Sequence, residues 1–401
     1  MQTGSYILPH RVLFNRWLAL LSWFLLSTVG ALTHLSSGTF NNFRVFRSVF
    51  FHALQGTSLY AAYPAEHADI NLYGPVFSLV IAPFALLPPQ VGAMVWVLAN
   101  AALLLYAITT LPVPRAWQVA IVLLCAHELM INSTWFQSNA LVASCLLLGY
   151  SFTRREREWA ALFFIMLATF FKVYGIVGLC FFAFSPHKAR FLAWAVIWSA
   201  VLFLAPALLM GINGLLRAYP EWARTLAEKS ARNTGPGNLY QNVSVMGMAH
   251  RIFGLEALGD LWILAPAGLL FLSQFAQRRY LPDLRLQLYI LASLLISVVI
   301  FSNGAESPTY IIAVPGICLW YILQPPSRRV NLFFGVVLIL TTFAYSDLLG
   351  SWVRSHLMRP YSLKALAPFA TWLVILVQVH RRQFLLANLP QDPERLQRAI
   401  A

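Results

Sequence analysis

Apolar runs recur along the chain from Trp17 to Val379, separated by short polar breaks. A helix needs about 20 apolar residues to cross the hydrocarbon core of a bilayer. Residues 17–35, 90–111, 116–132, 138–152, 191–210, 260–276, 286–302, 309–323, 330–346 and 365–379 each predict a membrane helix. The shorter runs are tolerable where neighbouring helices shield their ends. Two further segments can be read in two ways. Residues 74–88 are short and end in Pro88-Pro89, and residues 159–184 are long with Lys172 near the middle. Either 74–88 is a half-penetrating helix and 159–184 splits into two short spans turning near Lys172, or each is a single crossing. Charge favours the first reading and simple span length the second. Both predict an all-α polytopic membrane bundle of about twelve spans.

Composition supports a lipid environment. Hydrophobic residues make up 59% of the 401 positions and charged residues 10%, against about 45–50% and 25% in soluble domains. The net charge of +14 would suggest nucleic acid for a soluble protein. On a membrane protein it reads as an orientation signal together with sites for anions. Arg11 and Arg16, the His187-Lys188-Arg190 cluster, Arg278-Arg279, Arg328-Arg329 and Arg381-Arg382 fall at alternate span ends. The positive-inside tendency therefore predicts a plasma (inner) membrane protein with both termini cytoplasmic and an even span count. The first run is read as an uncleaved anchor because further spans follow it. Cys125, Cys145, Cys180 and Cys318 all lie in apolar runs and read as packing residues.

With that topology, loops 36–73 and 211–259 face outward, as do 303–308 and 347–364. Loops this long in a compact protein usually serve function. Asn42 to Gln55 is apolar on one face and carries Arg44 and Arg47 elsewhere, which predicts a helix lying in the outer interface. Leu215 to Ser230 has a similar pattern, broken by the turn-forming stretch Asn233 to Asn238. No internal repeat is evident, so residues 1–401 read as one integral domain. Interfacial helices beside a cavity suit an enzyme with a lipid-linked substrate; a transporter usually has tighter loops.

Few residues remain for chemistry. The outward acids are Glu66, Asp69, Glu221, Glu228, Glu256, Asp260, Glu306 and Asp347. Asp69 precedes a helix entering the membrane, where a carboxylate could deprotonate an acceptor hydroxyl or cap the helix. Glu306, in Asn303-Gly-Ala-Glu-Ser-Pro-Thr-Tyr310, has the same two readings. Glu66 is expected to pair with His67 or water. The outward bases Arg44, Arg47, Arg217, Arg224, Lys229, Arg232 and Arg251 could grip a phosphate or attract anionic head groups. An ammonium in an apolar stretch is costly, so Lys172 is expected to face a cavity, an anionic ligand or a structural partner. Gln137, Asn139, Asn242 and the aromatic residues near them could read a sugar's hydroxyls; helix capping is the competing role for such groups. No paired-carboxylate or cysteine cluster calls for a metal, and no nucleotide-binding glycine loop appears. No cofactor is expected.

Several of these short motifs occur in a telling order. Leu59-Tyr60, Tyr73-Gly-Pro75, Ala82-Pro-Phe84 with Leu87-Pro88, and Trp96 with Asn100 come first. Gln137-Ser-Asn139, the charged turn at 154–158, Lys172-Val-Tyr-Gly175, Asn242-Val-Ser244 and Pro308-Thr-Tyr310 follow. Together they resemble glycosyltransferase family 87, membrane mannosyltransferase-like proteins of the GT-C class, over most of residues 1–320. The resemblance implies a GT-C fold, a cavity open to the outer leaflet and a polyprenyl-phosphate-linked sugar as donor. A glycan or glycolipid would be the acceptor, and the transfer would invert the anomeric centre. It also implies a basic aspartate soon after the first span, where this chain has Asn41-Asn42. Asp69 is then the expected base, with Glu306 as the other candidate. Arg44, Arg47, Lys172 and Arg251 would hold the donor phosphate, and Asn42, Tyr73, Gln137, Asn139, Asn242 and Tyr310 would contact substrate. Loss of chemistry, leaving a transporter or flippase of a lipid-linked glycan, is the alternative that the Asn41-Asn42 departure raises.

Overall fold

The structure, a computed structural model, describes residues 6–234, 240–255, 259–387 and 389. Glu256, the side chain of Asp347 and most of the break between Asn233 and Asn238 lie outside the described residues. The described residues form helices and turns with no strand. The main helices are α1 (Arg16–Ser36), α2 (Asn41–Gln55), α3 (Phe77–Ala85), α4 (Pro89–Thr109), α5 (Arg115–Thr134), α6 (Asn139–Arg154), α7 (Glu158–Lys172), α8 (Lys188–Leu204) and α9 (Ala207–Thr234). They continue as α10 (Val245–Phe253), α11 (Leu261–Ser273), α12 (Leu284–Ile300), α13 (Ala313–Leu323), α14 (Arg328–Leu338) and α15 (Leu366–His380).

Four described stretches are long and apolar enough to cross a bilayer by themselves: α1, α4, α5 and Leu363–His380. A fifth arises if α8 and α9 count as one span, but they meet at 92°. Tyr174–Ala183, Leu261–Ala276, Leu284–Ile300 and Ser307–Leu323 are apolar but shorter. Large apolar side chains such as Trp17, Leu21, Val196 and Leu208 are exposed, as a lipid-facing surface requires.

The chain divides into two compact units. One comprises residues 23–111 and 129–229. In it α2 turns Phe43, Phe46, Val49 and Phe50 inward and packs on α3 and α4. Its amphipathic pattern thus produces the expected helix, with Gly56 in the left-handed conformation as its C-cap. Helix α3 has only nine residues and ends just before Pro88-Pro89. Helix α7 stops at Lys172, Val173 adopts φ +57, and a 3-10 helix, Tyr174–Ala183, folds back against α7 and α6. Residues 159–184 therefore break just after Lys172, and residues 74–88 hold only that nine-residue helix. The fold-back needs Gly175, where a Cβ would stand 2.4 Å from Thr169 N.

The other unit comprises residues 1–22, 112–128 and 230–401. Helices α12, α13 and α15 form its core, and nearly every residue of α12 and α13 is buried. Helix α10 packs on α15 and on the short 3-10 turn Leu363–Ala365.

Candidate functional site

In the first unit the loop between α2 and α3 carries Asp69, and its fixing points are side chains of the loop's own neighbours. Asn41, at the first turn of α2, donates from Nδ2 to Asp69 Oδ2 at 2.7 Å. Its Oδ1 accepts the Ala68 N–H at 2.9 Å. One amide thus grips both the carboxylate and the backbone beside it. His67 Nδ1 donates to the Asp69 carbonyl at 2.6 Å. Asp69 remains exposed and lies seven residues before Val76, the N-cap of α3, so it does not cap that helix. Glu66 pairs with His52 at 3.2 Å, whereas the sequence suggested His67.

The same loop runs on to Tyr73. Asn71 folds it, accepting the Tyr73 N–H at 2.9 Å and donating to the Tyr73 carbonyl at 3.1 Å. The Tyr73 hydroxyl donates to Gln137 Oε1 at 3.3 Å and accepts from Ser138 Oγ at 3.0 Å. Lys172 Nζ lies 5.4 Å from the Tyr73 ring centroid and donates to Asn139 Oδ1 at 2.5 Å. Asn42 Nδ2 donates to the Trp135 carbonyl at 2.8 Å, joining α2 to the same segment. Asn42, Tyr73, Gln137, Asn139 and Lys172 therefore belong to one polar cluster, linked through residues 69–73 to Asp69.

The close approach depends on Gly74. Its N–H donates to the Phe171 carbonyl at 3.0 Å, and a Cβ there would stand 2.0 Å from Phe170 O. Phe136 and Val173, next to Gln137 and Lys172, have φ of +52 and +57. Residues with side chains seldom adopt this region, and such strain gathers where geometry serves function. Trp96 steadies the turn by donating to the Phe136 carbonyl at 3.0 Å, and Asn100 ties back to Trp96 O.

Helix α9 braces the loop on its other side. Trp222 Nε1 donates to Leu72 O at 3.0 Å, and Ser58 Oγ to Glu221 Oε2 at 2.6 Å. Burial, with Tyr219 and Glu221 adding to it, pushes the Tyr60 hydroxyl well above the usual phenol range. Arg44 is exposed, its guanidinium 4.7 Å from the Phe40 ring; Arg47 sits 4.6 Å from Phe51.

The second unit gathers the remaining candidates. Glu306 closes a capping box with Thr309 at the 3-10 turn Ser307–Ile311, and accepts from Gln241 Nε2 at 2.6 Å. Asn242 has φ +53 and accepts from Ser244 Oγ at 2.6 Å; Ser244 in turn caps α10 through the Gly247 N–H. Tyr310 is fully buried and donates to Val243 O at 2.9 Å. Arg251 Nη2 donates to Gln241 O at 2.8 Å, and Nη1 to the Ser362 hydroxyl. Burial lowers the Arg251 pKa from its ordinary value. These four candidates thus hold capping and bracing positions.

Sequence reading did not single out Glu128 or Lys364. Lys364 Nζ donates to both Glu128 oxygens at 3.0 and 3.2 Å and to Ser307 O and Oγ, with neither charged residue exposed. The available signal was a lone acid inside the apolar run 116–132, since an ionisable residue at membrane depth demands a partner.

Among the described residues no group of three or more His, Cys, Asp and Glu is placed to hold a metal. No curated protein and no solved structure matches the chain. Residues 71–302 match glycosyltransferase family 87, from the loop before Tyr73 to just short of Glu306. That match covers more than half of the sequence and includes Tyr73, Gln137, Asn139, Lys172, Asn242 and Arg251. The chain belongs to glycosyltransferase family 87 and is a glycosyltransferase.

Proposed function

We propose that the protein moves a mannose-like hexose from a polyprenyl-phosphate carrier to a hydroxyl of a glycan or glycolipid at the outer face of the plasma membrane. In this reading the helices form a GT-C-like bundle of about twelve spans with cytoplasmic termini. The acceptor oxygen attacks the anomeric carbon, and its proton passes to Asp69. The bond from that carbon to the phosphate oxygen breaks, and the carrier phosphate leaves with the electron pair. A phosphate leaving group needs cation stabilisation more than protonation, and Lys172, with Arg44 and Arg47 of the same unit, is assigned that role. Asn42, Tyr73, Gln137 and Asn139 are assigned to substrate contact or to holding the residues that make it.

The observation that supports Asp69 as base is the Asn41 clamp. The amide stands at the place where the family resemblance leads one to expect an aspartate, and it binds the carboxylate of Asp69 instead. Asn41 fixes Oδ2 and leaves Oδ1 for an acceptor hydroxyl. A carboxylate at position 41 would oppose Asp69 at hydrogen-bond distance, so the amide and the displaced acid make sense together.

Asp69→Asn in the purified full-length protein tests this. The expected result is a loss of transfer from a polyprenyl-phosphate donor of at least about a hundredfold, the lower range for general-base removal. The unfolding temperature should stay at that of the parent. Transfer at the parent rate would remove Asp69 from the mechanism.

A further inference from the structure

Among the described residues, the second unit holds buried hydrogen-bond donors without a partner. Tyr345 is 7% exposed, and its hydroxyl has no hydrogen-bond partner among the described residues. Arg359 Nε is likewise shut off from solvent without a partner. A buried donor left unmade carries its full desolvation penalty, so native proteins rarely keep one without a reason.

Among the described residues the surroundings are electropositive. Arg251 and Arg359 both act electrostatically on the Tyr345 phenol. Arg251 Nη1 reaches the Arg359 carbonyl at 3.4 Å, the Arg359 guanidinium lies 4.6 Å from the Tyr240 ring, and Lys364 Nζ lies 5.6 Å from the Tyr345 ring. Glu128 is engaged by Lys364, and Glu306 by Gln241. Of the two arginines, Arg251 is committed to chain oxygens through both terminal nitrogens, whereas Arg359 makes one long bond, from Nη1 to the Tyr240 hydroxyl at 3.4 Å, and keeps Nε to meet a ligand.

The flanking residues are apolar and exposed. Leu348, Trp352 and Leu357 stand out from the segment that leads to Arg359, and Ile252 and Phe253 directly follow Arg251. Cations and donors beside exposed apolar side chains match a ligand with an anionic head and a hydrocarbon tail.

We infer that Tyr345 Oη and Arg359 Nε, with Arg251 beside them, form a binding site for the phosphate of a lipid phosphate. As a lipid-phosphate site of the second unit it stands without the proposed function. The guanidinium fork matches phosphate oxygens, and the phenol donates a further bond.

Decyl phosphate titrated into the detergent-solubilised full-length protein, read by calorimetry, tests the site. Tyr345→Phe and Arg359→Gln are each expected to weaken binding about tenfold, the value of one hydrogen bond to a charged group. Arg359→Lys should not restore it, because an ammonium lacks the fork. Tyr345→Phe removes a hydroxyl with no partner, so its unfolding temperature should not fall. Parent protein that does not bind decyl phosphate, or unchanged affinity in both variants, overturns the inference. Phosphatidylglycerol in nanodiscs distinguishes the sources. Equal competition identifies a phospholipid head group, and failure to compete identifies a single-chain carrier phosphate; both support the site. Asp69→Asn separates the two claims. Retained transfer in that variant overturns the base, while binding sensitive to Tyr345 and Arg359 still upholds the site.

Discussion

Replacing Lys364 by methionine tests how the second unit is held together. In the parent the ammonium and the Glu128 carboxylate are both 0% exposed, with Nζ 3.0 Å from Oε1 and 3.2 Å from Oε2. Methionine fills similar space but leaves Glu128 without its cation and Ser307 without its donor. Removing one partner of a buried pair costs about 3–5 kcal/mol, because the remaining charge is uncompensated. Replacing both with groups of similar volume is often neutral, since the desolvation cost disappears along with the attraction. Lys364→Met should therefore lower the unfolding temperature by roughly 5–10 °C, allowing for a chain larger than those behind the usual conversion. Adding Glu128→Leu, so that both positions are apolar, should recover most of that loss. The readout is the fraction of monodisperse protein left after heating, for the parent, both single variants and the double. The pair is close enough for strong coupling, so the cycle should give an interaction energy at the upper end of about 0.5–3 kcal/mol. A single variant within 1 °C of the parent, or a double variant no better than the single, would refute the argument. About one degree is well below what even 1 kcal/mol produces in a smaller domain.

Two further outcomes concern the first unit. Lys172→Met should raise the apparent KM for the lipid-linked donor about tenfold or more while changing acceptor KM little, because the lost group is a charged hydrogen-bond donor; unchanged donor KM in steady-state assays would assign Lys172 to structure alone. Gly74→Ala should destabilise the protein by about 1–3 kcal/mol, the usual cost of overpacking. It should also lower transfer, because a methyl 2.0 Å from Phe170 O must push the Tyr73 loop away from Lys172. Parent-like stability and transfer together would show that the loop does not need that approach.

Much of the helical scaffold was legible from sequence. Asn42 to Gln55 announced its helix because arginines interrupt an apolar face at helical spacing, and the break near Lys172 was one of two readings, favoured by charge against simple span length. The bend between α8 and α9 was not legible. Residues 191–210 are almost uniformly apolar, and periodicity is silent where both sides of a helix are oily. The chain leaves helical geometry at Gly211, with φ +67 and ψ 170, five residues after Pro206.

The site was legible by residue type but not by partnership. Gln137, Asn139 and Tyr73 stood out as polar groups in apolar surroundings, and they do meet. Asn41 read as the loss of an expected acid, because a pair separated by 28 positions leaves no local pattern. Asn242 and Tyr310 stood out for the same reasons as Gln137, yet cap and brace α10. Residue type alone does not show which polar groups will gather and which will hold a turn.

The right-angled turn from α8 into α9 has a mechanical consequence. If α8 runs across the bilayer, the part of α9 beyond Gly211 must lie along the leaflet, with Ile212 and Leu216 at its surface. That reclining helix is also the one from which the Asp69 loop hangs, through Trp222 and Glu221. Lateral pressure and lipid packing then act directly on the position of a carboxylate, making the surrounding leaflet a component of the enzyme rather than its container.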